Sequence, residues 1–152
     1  MQHAIRVSAS AAIVREGALL LVEFDEAGAG IHYNLPGGGH EAGESLRETV
    51  RREAREETCA EIAVGRLLLV AEYEPGRALA RYGADHKVNF VFAATLLPGS
   101  EPRLPARPDP LQIGVRWVPL GALDGVQLLP TFARELSEAL ANPHAPDLYE
   151  IR

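Results

Sequence analysis

Three glutamates near the end of one predicted helix are the residues of this chain best suited to metal chemistry. Residues 46–58 contain no Gly or Pro and are rich in Glu, Arg, Leu and Ala, a composition that favours a helix. At about 100° per residue, its apolar stripe overlaps at one edge with an arc of carboxylates. The stripe and the arc consist of Leu46, Val50 and Ala54, and of Glu53, Glu56 and Glu57.

A solvated acidic face is the usual meaning of a charge run on a helix. Two unfavourable energies argue against a solvated acidic face in this helix. Neighbouring carboxylates repel by roughly 3 kcal/mol per pair at an effective dielectric near 20. Glu56 and Glu57 also lie in the last turn, where the helix dipole disfavours anions by about 0.3–1 kcal/mol each. A divalent cation would reverse both penalties, and oxygen ligands at this spacing suit a hard ion such as Mg²⁺ or Mn²⁺.

Three consecutive glycines, Gly37, Gly38 and Gly39, follow Pro36 and precede the helix. Successive glycines are costly inside a helix or a strand, so we predict a tight loop whose backbone can approach a ligand closely. Glu44 and Ser45 then suit the first turn or the cap of the helix. The sequence therefore places a flexible glycine loop next to a helix that could bind metal.

The spacing of these residues resembles the signature of the Nudix hydrolases, the MutT-like pyrophosphohydrolases. Gly38 is followed after five residues by Glu44, and after seven more by Arg-Glu-Ala-Arg-Glu-Glu at positions 52–57. One position departs from the family pattern, because Cys59 stands where the family usually has a glycine that ends the helix. Beyond the signature, the resemblance extends loosely to residues 117–120 and to a C-terminal helix.

The resemblance implies an α/β fold, the Nudix α/β/α sandwich with a mixed β-sheet between helices, formed by residues 1–152 as a single domain. It also implies that Arg52 orients the metal-binding carboxylates through a salt bridge, most simply with Glu44. A solvent-exposed pairing of Arg52 with Glu48 or Glu56 is the alternative. The catalytic residues that it implies are Glu44, Arg52, Glu53, Glu56 and Glu57, and the metal ligands are Gly38, through its carbonyl, with Glu53, Glu56 and Glu57.

Candidate substrate contacts lie in the glycine loop and in two flanking strands. They are Gly37, Gly39, Tyr33, Lys87 and Asn89. Packing is the alternative for Tyr33 and for its neighbour His32, and core packing is favoured over base stacking for Trp117. The general base is a carboxylate of the helix or, as in some members of the resembled family, a glutamate of a downstream loop. Residues 108–112 lie in the corresponding region and offer Asp109 and Gln112 in place of a glutamate, which weakens the second alternative.

The reaction implied is metal-dependent attack of water on a phosphorus of a nucleoside diphosphate linked to another moiety X, as in nucleoside triphosphates, ADP-ribose or sugar nucleotides. A catalytically silent Nudix-fold domain that binds nucleotides for regulation is one alternative. A prenyl-diphosphate isomerase is another, although it needs a cysteine in the pocket and Cys59 is at the helix end. A non-enzymatic acidic interaction module leaves the spacing of Gly38, Glu44 and Arg52 unexplained.

The composition of the chain limits the binding partners and the cellular compartment that are expected. The chain has 152 residues, of which 47% are hydrophobic, and a net charge of -6, which argues against binding to long nucleic acid. No apolar run reaches the roughly 18 residues of a membrane span. The single cysteine fits a reducing compartment, so a cytoplasmic enzyme without membrane partners is expected. Homodimers are common in the resembled family and remain possible here.

Hydrophobic patterning predicts the remaining elements. Strands are expected at 5–14, 18–24, 31–35, 61–74, 86–97 and 114–118, and a helix at 129–141 with Pro130 in its first turn. Alternation in 86–97 puts Lys87 and Asn89 on one face with Val91 and Ala93. Residues 77–85 are predicted to form a polar connection, 98–110 a surface loop, and the chain from His144 a short tail.

Overall fold

The computed structural model describes residues 4–77, 83–144 and 146–151, so that Arg81 and Tyr82 of the predicted polar connection lie outside the described residues. In these ranges the chain forms strands, two α-helices and one short 3-10 helix, Leu120–Gly125. The helices are α1, Leu46–Thr58, and α2, Ala133–Ala141. The strands are β1 Arg6–Arg15, β2 Ala18–Glu26, β3 Gly30–Asn34, β4 Gly37–Gly39, β5 Ile62–Tyr73, β6 Lys87–Leu96, β7 Gln112–Pro119 and β8 Asp147–Ile151.

The strands form a mixed sheet in the order β3-β2-β1-β6-β5-β8, with β4 paired to β1 and β7 paired to β2. The pairs β1–β6 and β5–β8 are parallel, whereas β5–β6 and the pairs made by β2 are antiparallel. β1 is shared between two parts of the sheet, because it pairs with β6 and β4 along most of its length and with β2 at its end. The expected mixed sheet between helices is confirmed.

Side-chain alternation along the strands divides the core into two clusters, one under each helix. On β1, Ala9, Ala11 and Ile13 pack with α1, whereas Ala12 packs on the α2 side. β6 repeats the pattern, with Phe92 in the first cluster and Val91 in the second. The predicted alternation of this strand is confirmed, and it places Asn89 on the same face as Val91, toward α2.

Helix α1 has the predicted bounds because its start is capped. Ser45 accepts a hydrogen bond from the backbone N–H of Glu48, and the Glu48 carboxylate accepts one from the backbone N–H of Ser45, a capping box. Such caps stabilise a helix by about 1 kcal/mol. Val50 and Ala54 are fully buried against the sheet, so the rotation of the helix, and with it the direction of its carboxylates, is set by the core.

The glycine triplet forms a strand, so the prediction of a loop at 37–39 was wrong. Gly37–Gly39 pairs antiparallel with β1. Glycine suits this strand because there is no room beside it for a side chain. A Cβ on Gly37 would lie under 3.0 Å from Ser10, and one on Gly38 under 3.0 Å from the Glu53 carboxylate. Glycine destabilises a strand, but here it allows the backbone to approach both neighbouring groups closely. We call β4 the glycine strand.

The C-terminal third departs from the prediction in two places. Helix α2 begins at Ala133, after Pro130, because residues 127–129 are held extended against β3: the Tyr33 N–H donates to Gln127 O and the Leu129 N–H donates to Tyr33 O, both over 2.8 Å. The predicted tail instead contains β8, which adds to the sheet beside β5 and whose five residues alternate too weakly to be recognised in sequence. The 3-10 helix after β7 was also not predicted.

Helix α1 ends at Cys59 in a left-handed conformation. Cys59 has φ 57 and ψ 14, and its N–H donates to Arg55 O over 3.0 Å, closing the last turn. The backbone thus keeps the conformation that a glycine commonly provides at this position, although cysteine carries a Cβ. The left-handed conformation is unfavourable by roughly 1–2 kcal/mol for a residue that has a Cβ, so Cys59 carries local backbone strain.

Replacing this residue with glycine should stabilise the protein. We expect Cys59→Gly to raise the free energy of unfolding by roughly 0.5–1 kcal/mol, because the left-handed strain is removed while glycine adds some unfolded-state entropy. Denaturant titration followed by circular dichroism measures the change.

Cys59→Ala is the matched control, since alanine removes the thiol but keeps the Cβ and its strain. It should show no such gain. Equal stabilisation by both variants would mean that the thiol, not the backbone, is unfavourable here.

Candidate active site

The Arg52 guanidinium lies at the centre of the candidate site. Its Nε donates to Glu44 Oε1 over 2.5 Å and its Nη2 donates to the Gly39 carbonyl over 2.9 Å. Its Nη1 donates to Glu53 Oε1 over 2.9 Å and more weakly to Glu56 Oε2 over 3.4 Å. One cation on α1 therefore joins the glycine strand, Glu44 in the segment before the helix cap, and two of the candidate ligands. The alternative of a solvent-exposed Arg52 paired only along the helix is excluded.

The pair formed by Glu44 and Arg52 is held in its ionised state. Hydrogen bonds from Arg52 and then from Thr49 lower the pKa of Glu44 to about 2, and the bond to Glu44 raises the pKa of Arg52. Thr49 is itself fully buried and contacts His40 Nδ1 over 2.8 Å. Glu44 is thus fixed from two sides, as expected of a residue that orients Arg52.

Glu57 is the most deeply placed of the three glutamates. It is 8% exposed, and its Oε1 accepts a hydrogen bond from the Gly37 N–H over 2.9 Å. Burial raises the pKa of Glu57 to about 8, and the negative charges of Glu53 and Asp109 act in the same direction. A carboxylate in this position is costly to ionise unless positive charge lies next to it.

Glu53 lies against the glycine strand. Its carboxylate fills the space that a side chain on Gly38 would need. Burial raises the pKa of Glu53, and the hydrogen bond from Arg52 opposes that rise. Glu56, in contrast, has a side chain that is 56% exposed. The arc of carboxylates predicted on the helical wheel therefore runs from the buried Glu57 to the solvent-exposed Glu56.

Gln112 is a site residue to which the sequence analysis assigned no role. Its Nε2 donates to the Glu57 backbone carbonyl over 2.7 Å, and its own N–H donates to Asp109 O over 2.9 Å. Gln112 thus ties the turn at 109–112 to the end of α1 and keeps the charge of Asp109 close enough to act on Glu53 and Glu57. A glutamine after a proline-rich loop gives no sequence signal for such a contact.

The donor set fits a hard divalent cation. Glu53 lies against Gly38 and Glu57 accepts a hydrogen bond from the Gly37 N–H, and their burial, with the negative charges around them, favours a nearby positive charge. In the part of the chain that the structure describes, no three acidic, histidine or cysteine side chains converge as a ligand set. The Arg52 guanidinium lies between Glu53 and Glu56 as their counterion. Metal binding by these residues stays a prediction.

Tyr33 is buried in the core, which favours the packing alternative over a substrate contact. It is 6% exposed in the core cluster on the α2 side, and its hydroxyl donates to Glu23 Oε2 over 2.6 Å. Its neighbour His32 stacks on Phe24 with ring centroids 5.3 Å apart. Trp117 packs against the α1-side cluster under the Arg15 guanidinium, in agreement with the favoured packing role. Packing thus accounts for these aromatic rings.

Asn89 and Lys87 lie on the opposite face of the sheet from α1. Asn89 is buried and its Oδ1 accepts a hydrogen bond from Ser10 Oγ over 3.0 Å. Asn89, Gly37 and Gly38 line one small cavity, so the structure brings together three of the predicted site residues. Lys87 does not line that cavity; it is half-buried near Asp85 and Arg6, and desolvation lowers its pKa.

Comparison with known proteins shows a shared fold. A family model of the NUDIX domain matches residues 4–142. A MutT NUDIX hydrolase from Burkholderia pseudomallei is 31% identical, with a TM-score of 0.70, over 91% of this chain and 99% of that chain. A NUDIX hydrolase from Nitrosomonas europaea has 20% identity and a TM-score of 0.73 over 91% of this chain and 89% of that chain. No curated protein matches.

An ADP-ribose pyrophosphatase from Streptococcus suis also shares the fold. It is 20% identical, with a TM-score of 0.68, over 96% of this chain and 99% of that chain. Like the Nitrosomonas protein, it is too distant to indicate more than the fold. Within the described ranges, no helix has the length and apolar character needed to span a membrane.

The metal-free protein should lose stability as pH rises through the neutral range. The folded-state pKa of Glu57 lies near 8, above its unfolded value of 4.5, so the folded protein binds the extra proton between these values. Stability from this group is complete below pH 4.5 and is lost as pH approaches 8, by about 2–4 kcal/mol. Chemical unfolding in a chelator at pH 5 and pH 8 measures the loss.

Glu57→Gln is the control, because glutamine keeps the oxygen that accepts from Gly37 but does not ionise. This variant should show a much smaller loss between the two pH values. Parallel curves for the two proteins would contradict the burial of an ionisable carboxyl at this position.

Proposed function

The chain belongs to the NUDIX family of hydrolases, and we propose that it cleaves the diphosphate linkage of a nucleoside diphosphate joined to another moiety X, with Mg²⁺ or Mn²⁺ as its cofactor. The observation that carries this proposal is the ion network around Arg52, which fixes Glu44, Glu53 and the Gly39 carbonyl side by side. Nucleoside triphosphates, ADP-ribose and sugar nucleotides all contain such a linkage.

Each part of the site has a role in this reaction. A divalent ion held by Glu53, Glu56, Glu57 and the Gly38 carbonyl would neutralise phosphate charge and lower the pKa of a bound water. Arg52 orients Glu53, and Glu44 holds Arg52 in place. A carboxylate of the helix or Asp109 accepts the proton of the attacking water, since both are within electrostatic reach of the same cluster.

The rival classes fit the geometry less well. A silent regulatory domain would not need the close approach of the Glu53 carboxylate to Gly38 or the buried Glu57. A prenyl-diphosphate isomerase would need a thiol in the pocket, whereas Cys59 forms the C-terminal cap of α1. Homodimer formation and a cytoplasmic setting remain part of the proposal, on the basis of the family resemblance and the single cysteine.

Phosphate release from a panel of substrates tests the proposal. The panel contains nucleoside triphosphates, ADP-ribose, sugar nucleotides and dinucleoside polyphosphates, each with Mg²⁺ or Mn²⁺ and with a phosphatase that acts only on the products. We expect metal-dependent turnover of at least one compound, and a loss of about 100-fold or more in Glu57→Gln, which removes a charged ligand from the site.

Glu138→Gln is the matched control, because Glu138 is an exposed glutamate of α2 that pairs with Arg134 of the same helix. It should keep wild-type activity. Turnover that persists without divalent metal, or that Glu57→Gln leaves unchanged, would overturn the assignment of the carboxylates. Asp109→Asn assayed beside Glu57→Gln distinguishes a base on the loop from one on the helix.

Arg52→Lys tests whether the site needs Arg52 to orient the carboxylates or needs only its positive charge. Lysine keeps the positive charge but cannot contact Glu44, Glu53 and Gly39 at once, so activity should fall by about 10–100-fold. Titration of activity with Mg²⁺ should also show a weaker apparent metal affinity. An effect on substrate KM alone, with unchanged metal dependence, would mean that Arg52 binds substrate directly instead of orienting carboxylates.

A further inference from the structure

A series of hydrogen bonds joins the end of the glycine strand to helix α1. His40 is the first residue after the strand, and its Nδ1 lies 2.8 Å from Thr49 Oγ1. Thr49 Oγ1 donates to Glu44 Oε2 over 2.8 Å, and Glu44 Oε1 accepts from Arg52 Nε. Arg52 Nη2 donates to the carbonyl of Gly39, the residue before His40. These contacts close into a ring of five residues, which we call the threonine ring.

The number of available hydrogens determines the direction of the bonds in the threonine ring. A threonine hydroxyl has one hydrogen to donate, and an ionised carboxylate has none. The Thr49 hydrogen goes to Glu44 Oε2, since the alternative acceptor, the Ser45 carbonyl, is farther away at 3.3 Å. Thr49 Oγ1 therefore accepts from His40. It follows that Nδ1 of His40 carries a hydrogen, whether or not its imidazole is charged.

Thr58 shows how a buried threonine of α1 bonds outside the threonine ring. Thr49 and Thr58 are both fully buried. Thr58 Oγ1 donates to the carbonyl of Ala54, four residues earlier, over 2.6 Å, which is the usual bond of a threonine inside a helix. The matching distance from Thr49 to the Ser45 carbonyl is 3.3 Å. The Thr49 hydroxyl thus bonds to Glu44 in preference to the backbone of its own helix.

The threonine ring encloses the exposed turn between the glycine strand and helix α1. Residues 40–43 of this turn are exposed, and exposed turns are more mobile than the elements that they join. Inside the turn, the Glu41 N–H donates to Glu44 Oε2 over 3.3 Å and the Glu44 N–H donates to Glu41 O over 3.2 Å. The two ends of the turn, His40 and Glu44, bond to the same buried hydroxyl, so that Thr49 fixes one end relative to the other.

Two members of the threonine ring adjoin the candidate metal ligands. Arg52 also donates to Glu53 Oε1 over 2.9 Å, and Gly39 directly follows Gly38 in the glycine strand. In a closed ring of hydrogen bonds the position of each group limits the positions of the others, so the loss of one bond loosens the rest. Removal of the Thr49 hydroxyl is therefore expected to affect the ligands through the ring.

We propose that His40 and Thr49 are positioning residues, which hold the pair formed by Glu44 and Arg52 and, through this pair, the candidate metal ligands. Thr49 supplies a hydroxyl that donates and accepts at once, and His40 fixes the direction of that hydroxyl. The inference rests on the proposed function for the role of the ligands, whereas the hold on Arg52 is a property of the metal-free protein.

Nuclear magnetic resonance of the metal-free protein tests the threonine ring apart from catalysis. The rate at which the Arg52 Nε hydrogen exchanges with water reports how firmly Glu44 holds it. Thr49→Val keeps the shape of the side chain but has no hydroxyl. We expect about tenfold faster exchange in this variant, because Glu44 loses one of its donors. Thr49→Ser restores the hydroxyl and should exchange like the wild type.

The imidazole of His40 gives a second test of the ring. Nitrogen chemical shifts of the wild type should show a hydrogen on Nδ1. His40→Leu removes this donor and should speed exchange at Arg52, whereas His40→Asn keeps an N–H close to the position of Nδ1 and should recover most of the protection. A wild-type imidazole with a hydrogen on Nε2 alone would overturn the assigned directions.

Metal binding and kinetics test the consequence for the ligands. Calorimetry with Mn²⁺ and no substrate should give a Kd about tenfold weaker for Thr49→Val than for the wild type or Thr49→Ser. With a substrate from the panel above, kcat of Thr49→Val should fall by a similar factor while KM stays unchanged. A raised KM with unchanged kcat would instead mean that Thr49 acts on substrate binding and would overturn the positioning role.

Thr58→Val is the matched control, because it also removes a fully buried hydroxyl from α1 but leaves the threonine ring intact. The Arg52 Nε hydrogen should exchange in this variant as in the wild type, whatever the change in Tm. Equally fast exchange in Thr58→Val and Thr49→Val would show a general loosening of the helix and would overturn the inference.

The outcomes separate this inference from the proposed function. Unchanged exchange at Arg52 in Thr49→Val, or no recovery in Thr49→Ser, would overturn the positioning role. Faster exchange with unchanged Mn²⁺ affinity would overturn the link to the ligands. If exchange responds as expected but the wild type neither binds Mn²⁺ nor hydrolyses any compound of the panel, the proposed function fails and the hold on Arg52 stands. Hydrolysis with unchanged exchange gives the reverse result.

Discussion

The Arg52 guanidinium is shared by the carbonyl of the glycine strand and by the carboxylates of Glu44, Glu53 and Glu56, and the arrangement of the whole candidate site depends on this sharing. A planar cation with five N–H groups can hold several acceptors at fixed angles, which a point charge cannot. Because Arg52 lies on α1 and α1 is anchored by its capping box and its buried face, the orientation of the carboxylates is transmitted directly from the core.

The glycine strand is the second constraint. With no side chains on either face, it lets the Glu53 carboxylate approach from the α1 side and Ser10 from the α2 side. At this point a single backbone without side chains separates the acidic side chains of α1 from the small cavity that Asn89 lines.

Much of this could be read from the sequence, for physical reasons that differ between elements. The bounds of α1 follow from local signals, which are a capping residue and a stretch without Gly or Pro. The pairing of Arg52 with Glu44 was predicted from the family resemblance. The strand formed by Gly37–Gly39 could not be foreseen, because its cost is local and its compensation, contact with Ser10 and Glu53, is tertiary. Tyr33, β8 and the anchoring role of Gln112 also depend on distant partners, so no sequence window contains their signal.

The parallel pairing of β1 with β6 has a consequence for how the molecule reaches its native state. Ser10 and Asn89, which lie in these two strands and share a hydrogen bond, are 79 positions apart in the chain. Closing so long a segment costs entropy before any contact offsets it, and proteins rich in such contacts fold slowly. The hairpin of β1 and β2 and the helix α1 can form from local contacts, whereas the contact between Ser10 and Asn89 requires the distant strand. The centre of the sheet, to which the glycine strand is joined through β1, is therefore expected to form late in folding.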